Sequence, residues 1–211
     1  MMTVNFRRVW QISLIVAMLM LVVGIATDIP DVERYARSMQ RLIEKGHYRE
    51  ALEVGKKSDK TDNALLCLRI ETMGHEQLLG ERLFAYPVKG KSGQMIVYGR
   101  KLKDLGGDYE LCAYLIDKEL DKFVRKLPNY YDVNDSLPRY YREALVLYKH
   151  LRSNPVIAYN DEVLDTDYHD LQELEKEYPN QSARQVAVFR QYEGTYWYYY
   201  EYLNRYSSQL L

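Results

Sequence analysis

Four short stretches carry residue types that could do chemistry, and the first three depart from their motifs at the place the chemistry needs. His75-Glu76-Gln77-Leu78-Leu79 begins like the zinc-binding helix of a metalloprotease. That site needs two imidazoles one helical turn apart, and Leu79 stands where the second should be, so no metal pocket follows. Gly90-Lys91-Ser92 ends like a phosphate-binding loop, but Ala85 replaces its first glycine and the segment before it reads as helix. A flexible turn is expected there. Asp132-Val133-Asn134-Asp135-Ser136, followed by Glu143, imitates a calcium loop. The sharp bend of such a loop needs glycine at the place of Leu137, with Pro138 next, so a solvated loop leading into a helix is expected instead.

The fourth stretch is Asp165-Thr166-Asp167, with His169 and Asp170 one turn on. Similar acidic triplets hold a divalent ion on a sugar-nucleotide, which would suit an envelope enzyme or accessory subunit acting on glycans through Asp165–Asp170. The other reading is a helix start, where Asp or Thr accepts hydrogen bonds from free backbone N–H groups and suits the helix dipole. His47 and His150 stand near predicted helix ends with no evident partner. Cys67 and Cys112 lie among apolar residues, as small core residues or, in an oxidising compartment, as one disulfide. With four histidines and no nucleophile–base or carboxylate pair to single out, a non-enzymatic protein without cofactor or metal is expected.

A different kind of candidate closes the chain. Phe189, Tyr192, Tyr196, Tyr199, Leu203 and Tyr206 fall at three- and four-residue steps on one predicted helix near Ser182–Ser207. Trp197, Tyr198, Tyr200 and Tyr202 add aromatic surface around it. One reading has this helix close the end of the fold. The other makes Trp197, Tyr198, Tyr200 and Tyr202 a contact surface for a peptide, a glycan or the membrane interface, because one helix face cannot bury them all. The chain has 21 tyrosines against 4 phenylalanines and 2 tryptophans, and tyrosine suits faces that are half wet. Its net charge of −1 leaves no basic footprint for nucleic acid.

The elements that must position these residues read as helix after helix. Val32, Tyr35, Ala36, Met39, Leu42 and Ile43 make one apolar stripe that Gly46 ends; Tyr48, Ala51, Leu52 and Gly55 make the next. Asp62 or Asn63 can cap a third, carrying Leu65, Leu66, Leu68, Ile70 and Met73 on more than one side, hence sandwiched. Gly74 is expected to end it, and Leu78, Leu79, Leu83 and Tyr86 mark a fourth. Beyond the break at Pro87–Gly93, Met95, Tyr98, Leu102 and Leu105 suggest a helix ended by Gly106-Gly107. Cys112 to Leu127, Tyr141 to Leu151, and Asp167 to Tyr178 suggest three more before the tyrosine-rich one. No segment alternates clearly enough to be a strand.

The first residues set location. Arg7 and Arg8 precede Val9–Ala26, an uncharged run that would span roughly 27 Å as a helix, near the lower limit for a bilayer. An uncleaved anchor and a signal peptide cut after Gly24-Ile25-Ala26 both fit, and both leave the rest of the chain outside the cytoplasm. The resulting division is residues 1–27 as anchor or signal, 28–86 as helical hairpins, 87–93 as a linker loop and 94–211 as a second helical region.

The phrase Gly46-His47-Tyr48-Arg49-Glu50-Ala51-Leu52 resembles the middle of a tetratricopeptide repeat, with Gly46, Tyr48 and Ala51 at its small, aromatic and small positions. Asn63 stands where that repeat has proline, a departure. Tyr141-Arg142-Glu143-Ala144-Leu145 repeats Tyr48–Leu52 letter for letter, Gly107-Asp108-Tyr109 keeps the small-x-aromatic order, and Gly74-His75 repeats Gly46-His47. Leu137–Leu147 and Gly194-Thr195-Tyr196-Trp197-Tyr198-Tyr199 are also similar to an uncharacterised bacterial family that joins a membrane portion to degenerate helical repeats. Its members carry several spanning helices and this chain at most one, and the family has no assigned activity. Together these resemblances imply an all-α fold, a short array of antiparallel helix pairs (an α-solenoid) behind the N-terminal helix. They also imply a partner-binding role, since repeat stacks expose a concave face to a protein or peptide.

Overall fold

The computed structural model describes Met18 and residues 31–134 and 136–203. Apart from Met18, the anchor or signal segment lies outside the described residues, as does Tyr206. Among the described residues no helix is long and apolar enough to cross a membrane.

The fold is almost entirely helical, with ten α-helices among the described residues. They are α1 (Asp31–Glu44), α2 (Tyr48–Glu53), α3 (Asn63–His75), α4 (Leu79–Arg82), α5 (Gly107–Ile116), α6 (Leu120–Lys126), α7 (Arg139–Leu151), α8 (Glu162–Glu177), α9 (Gln181–Tyr192) and α10 (Tyr196–Tyr202). Asp62 caps α3 as expected, its carboxylate accepting the Leu65 N–H at 2.7 Å. Leu65, Leu66, Ile70 and Met73 are buried around α3, which packs against α1, α2 and α4.

Three helix pairs turn through the same backbone motif. At the α1–α2 elbow the His47 N–H donates to the Leu42 carbonyl at 2.8 Å and the Gly46 N–H to the Ile43 carbonyl at 2.9 Å. Leu78 and Gln77 repeat this on Met73 and Gly74, and Glu119 and Lys118 on Tyr114 and Leu115. Such a pair of bonds ends a helix with one left-handed residue, and Gly46, Gln77 and Lys118 have φ of +76°, +56° and +60°. In each case the next helix starts two residues later. Gly194, at φ +78°, stands at the same distance before α10.

The elbows therefore do not all fall where glycine suggested. Gly74 lies inside α3, where a Cβ would come within 1.8 Å of the Tyr109 hydroxyl; it serves close packing, not a bend. Gly106 and Gly107 open α5 instead of closing a helix before it. The expected helix over Met95–Leu105 is also absent. In its place Ile96–Val97 (β1) pairs antiparallel with Arg100–Lys101 (β2) across Tyr98-Gly99, both with positive φ (+52° and +73°), which is the turn that suits a two-residue hairpin. Pro87–Gly93 carries no α-helix or strand, only the start of a 3-10 turn at Ser92–Gln94, yet it is tied down: the Ser92 N–H and hydroxyl donate to Asp117 at 2.9 and 2.6 Å.

Helix α7 is the hub, packing on α4, α6, α8 and α10. Tyr140, Tyr141, Ala144, Leu145, Val146, Leu147 and Tyr148 are all buried there. The tyrosines bring hydroxyls to helix ends: Tyr86 donates to the Leu52 carbonyl in the last turn of α2, and Tyr196 and Tyr199 to the Leu115 and Ile116 carbonyls that finish α5. Free carbonyls at a helix C-terminus need such partners. Cys67 and Cys112 are both free thiols; Cys112 is buried beside the Tyr141 hydroxyl, and burial pushes it well above the usual thiol range.

Candidate binding groove

The C-terminal aromatics reach their places because the single expected helix is broken in two. Gly194 interrupts it, and α10 restarts with Thr195 accepting the Tyr198 N–H at 3.1 Å. At its N-terminus the Tyr196 N–H donates to the Glu143 carboxylate at 2.6 Å, and the Trp197 indole N–H donates to the Glu143 carbonyl at 2.8 Å. Glu143 is buried, bridged also to Arg139 at 2.7 Å. Burial pushes its carboxyl above the ordinary range, against the opposing pull of Arg139 and the Tyr196 N–H.

The four aromatics expected to form one exposed surface do not. Trp197 is in the core, edge-on to Tyr168 at 5.2 Å. Tyr198 is 7% exposed, and Tyr200 and Tyr202 are half-buried. The Tyr202 hydroxyl donates to Glu175 on α8, and Lys118 lies 5.5 Å from the Tyr200 ring centroid. The expectation assumed one buried helix face. A seven-residue helix set against α7 and α9, with the end of α5 at its other side, buries aromatics on several faces.

What α10 does offer is one wall of a groove. A cavity of about 320 Å³ opens between the turn after α2 and the Phe84–Pro87 segment on one side, and Phe189 to Leu203 on the other. Phe84, Tyr86, Phe189, Tyr198, Tyr199 and Leu203 supply its apolar lining; Lys56, Lys57, Asp59 and Glu193 stand around it. Phe189 is 43% exposed and meets the Tyr198 ring at 5.7 Å, and Tyr198 stacks on Tyr202 at 5.5 Å. Phe84 packs on Tyr199 at 4.6 Å, joining the walls at the back. Sequence reasoning missed Phe84, Tyr86 and Phe189 as a set, because Phe84 and Tyr86 lie more than a hundred residues before Phe189 along the chain. A second hollow of about 550 Å³ is lined by the long polar side chains of Gln172, Glu175, Lys176 and Arg184.

The acidic cluster Asp165–Asp170 is spread along α8. The helix begins three residues before Asp165, with Asp161 as its cap accepting the Leu164 N–H at 3.1 Å. Asp165 is engaged by Lys149 at 2.7 Å and His150 at 3.1 Å. Partial burial raises its carboxyl, but these two hydrogen-bonded partners outweigh burial and hold it below the usual aspartate range. Asp167, His169 and Asp170 are exposed, and His169 pairs with Glu173. Among the described residues no group of three or more His, Cys, Asp or Glu side chains is placed to hold a metal ion.

The other sequence candidates are absorbed into structure. His75 stacks on Tyr48 at 4.6 Å, Glu76 pairs with Arg49, and the Asn134 side chain accepts from Ser136.

Fold and groove together define, among the described residues, a helical protein built of short, elbow-linked helices around a central helix, with an aromatic cleft between the Phe84–Pro87 segment and α10. Residues 104–203 match a family described as "Family of unknown function (DUF6057)", a stretch that covers α5 to α10 and so one wall of the groove. No curated protein and no solved structure matches the chain.

Proposed function

We propose that this chain is a non-enzymatic, membrane-associated helical-repeat module that binds a protein or peptide partner in the aromatic groove. The observation that carries this reading is the groove's make-up: six large apolar side chains, with Ala85 and Pro87, around about 320 Å³, and residues of both charges among them. That volume lies at the small end of ligand sites and accommodates the few apolar side chains of a peptide anchor. Aromatic residues with a polar rim are the usual composition of a contact hot spot. The recurring left-handed elbow, with a new helix two residues on, supports a degenerate tetratricopeptide-like stack of helix pairs as the scaffold. The uncharged run Val9–Ala26 behind Arg7 and Arg8 supports a membrane-held chain with its C-terminal part outside the cytoplasm.

Panning a phage-displayed peptide library against the full chain in lipid nanodiscs tests this. Clones sharing a bulky apolar anchor are expected. Their binding should fall about tenfold or more on Phe189→Asp, which loses a partly exposed ring and puts a charge in the apolar lining. Enriched peptides that bind the Phe189→Asp variant as well as the wild type would remove the groove as the contact site.

A further inference from the structure

We infer that Lys118 is a positioning residue for this groove: it pins α10 so that Tyr198 and Tyr199 stand as its wall. Its bearing on binding rests on the groove being the contact site; its hold on α10 is measurable without any ligand.

Lys118 occupies the left-handed elbow position between α5 and α6, at φ +60°. L residues adopt this conformation at an energetic cost that glycine avoids. The side chain offers a reason for lysine there. Its Nζ lies 2.5 Å from the Tyr200 carbonyl oxygen and 2.6 Å from that of Leu203, donating to both. It also sits 5.4 Å and 5.5 Å from the ring centroids of Tyr199 and Tyr200. A cation on the last carbonyls of a helix satisfies free acceptors and complements the negative end of the helix dipole.

The capping is reciprocal. Tyr196 and Tyr199 of α10 donate to the Leu115 and Ile116 carbonyls that finish α5, while Lys118, two residues past α5, caps α10. A seven-residue helix does not hold itself in water, so α10 depends on such outside contacts. At its N-terminus it is held by Glu143, whose carboxylate also belongs to the core of α7. Lys118 is therefore the end of the clamp that can be released without emptying the core.

The test uses the full chain in lipid nanodiscs and two variants. Lys118→Gly removes the ammonium and suits the left-handed backbone, so the elbow and the fold are kept; Lys118→Arg retains a cation. Backbone amides of residues 196–203 are expected to exchange about tenfold faster in Lys118→Gly, with α7 amides unchanged and Lys118→Arg close to wild type. A peptide selected on the wild type should bind Lys118→Gly more weakly in parallel. Unchanged exchange of 196–203 in Lys118→Gly overturns the inference, and faster exchange with undiminished peptide binding overturns its link to the groove. If no peptide binds the wild type, the groove reading fails by itself, and the exchange data alone decide whether Lys118 holds α10.

Discussion

Tyr48-Arg49-Glu50-Ala51-Leu52 and Tyr141-Arg142-Glu143-Ala144-Leu145 are the same five letters in two places. Both are helical, and both bury the alanine and the leucine completely or nearly so. There the likeness stops. The first copy begins α2 at the outer end of the fold, with Tyr48 half-buried, Arg49 and Glu50 in solvent and the arginine paired to Glu76. The second lies within α7 at the centre, where Tyr141 and Glu143 are buried and the glutamate receives the N-terminus of α10. Local sequence sets the helix and its apolar face; what the polar letters do is set by how many elements surround them.

That comparison can be broken or sharpened by mutating the copies side by side. Leu52→Ala and Leu145→Ala should each cost about 2–5 kcal/mol of unfolding free energy in denaturant titrations, since both remove fully buried methyl groups. A large gap between the two would show that the shared apolar face is not equivalent. Next in size, Glu143→Ala should cost about 2–4 kcal/mol by stranding the Tyr196 N–H and weakening the hold on α10. Glu50→Ala should stay within about 0.5 kcal/mol. Equal effects would mean that the buried position of Glu143 carries no special weight. The smallest contrast is between the arginines. Arg142 reaches a mostly buried Asp161 at 3.2 Å, so Arg142→Ala should cost about 0.5–1 kcal/mol. Arg49→Ala, at a side chain 88% exposed, should leave the thermal midpoint unmoved.

Much of the architecture was legible from residue type. The stripe from Val32 to Ile43, the Gly46 elbow, the Asp62 cap and the sandwiched α3 all stand where periodicity and capping chemistry put them. The errors have identifiable causes. Gln77 and Lys118 take the left-handed elbow positions usually marked by glycine, so reading glycines as bends displaced the first elbow from Gly74 and missed the second, which splits what reads as one helix from Cys112 to Leu127. Met95 to Tyr98 are four apolar residues in a row that alternate between buried and exposed. The two-residue period of that strand lives in their environment and not in their polarity, and a helical stripe through Tyr98 and Leu102 looked as good. Gly194 broke a continuous aromatic stripe that helical spacing alone would have carried across it. The candidate groove was half legible: the tyrosines of α10 were in view, but their partners Phe84 and Tyr86 come from a distant segment that only the fold brings near.

The abundance of tyrosine over phenylalanine follows from the length of the helices. An element of six or ten residues leaves a large share of its carbonyls without an internal donor, and here phenolic hydroxyls from elsewhere in the chain donate to them: Tyr86 at the end of α2, Tyr196 and Tyr199 at the end of α5. The last of these links join segments more than eighty residues apart. A chain wired this way cannot melt one hairpin at a time from its ends, as an open array would. Its last described helix is a structural component of its middle, and the described residues should lose order in one concerted step.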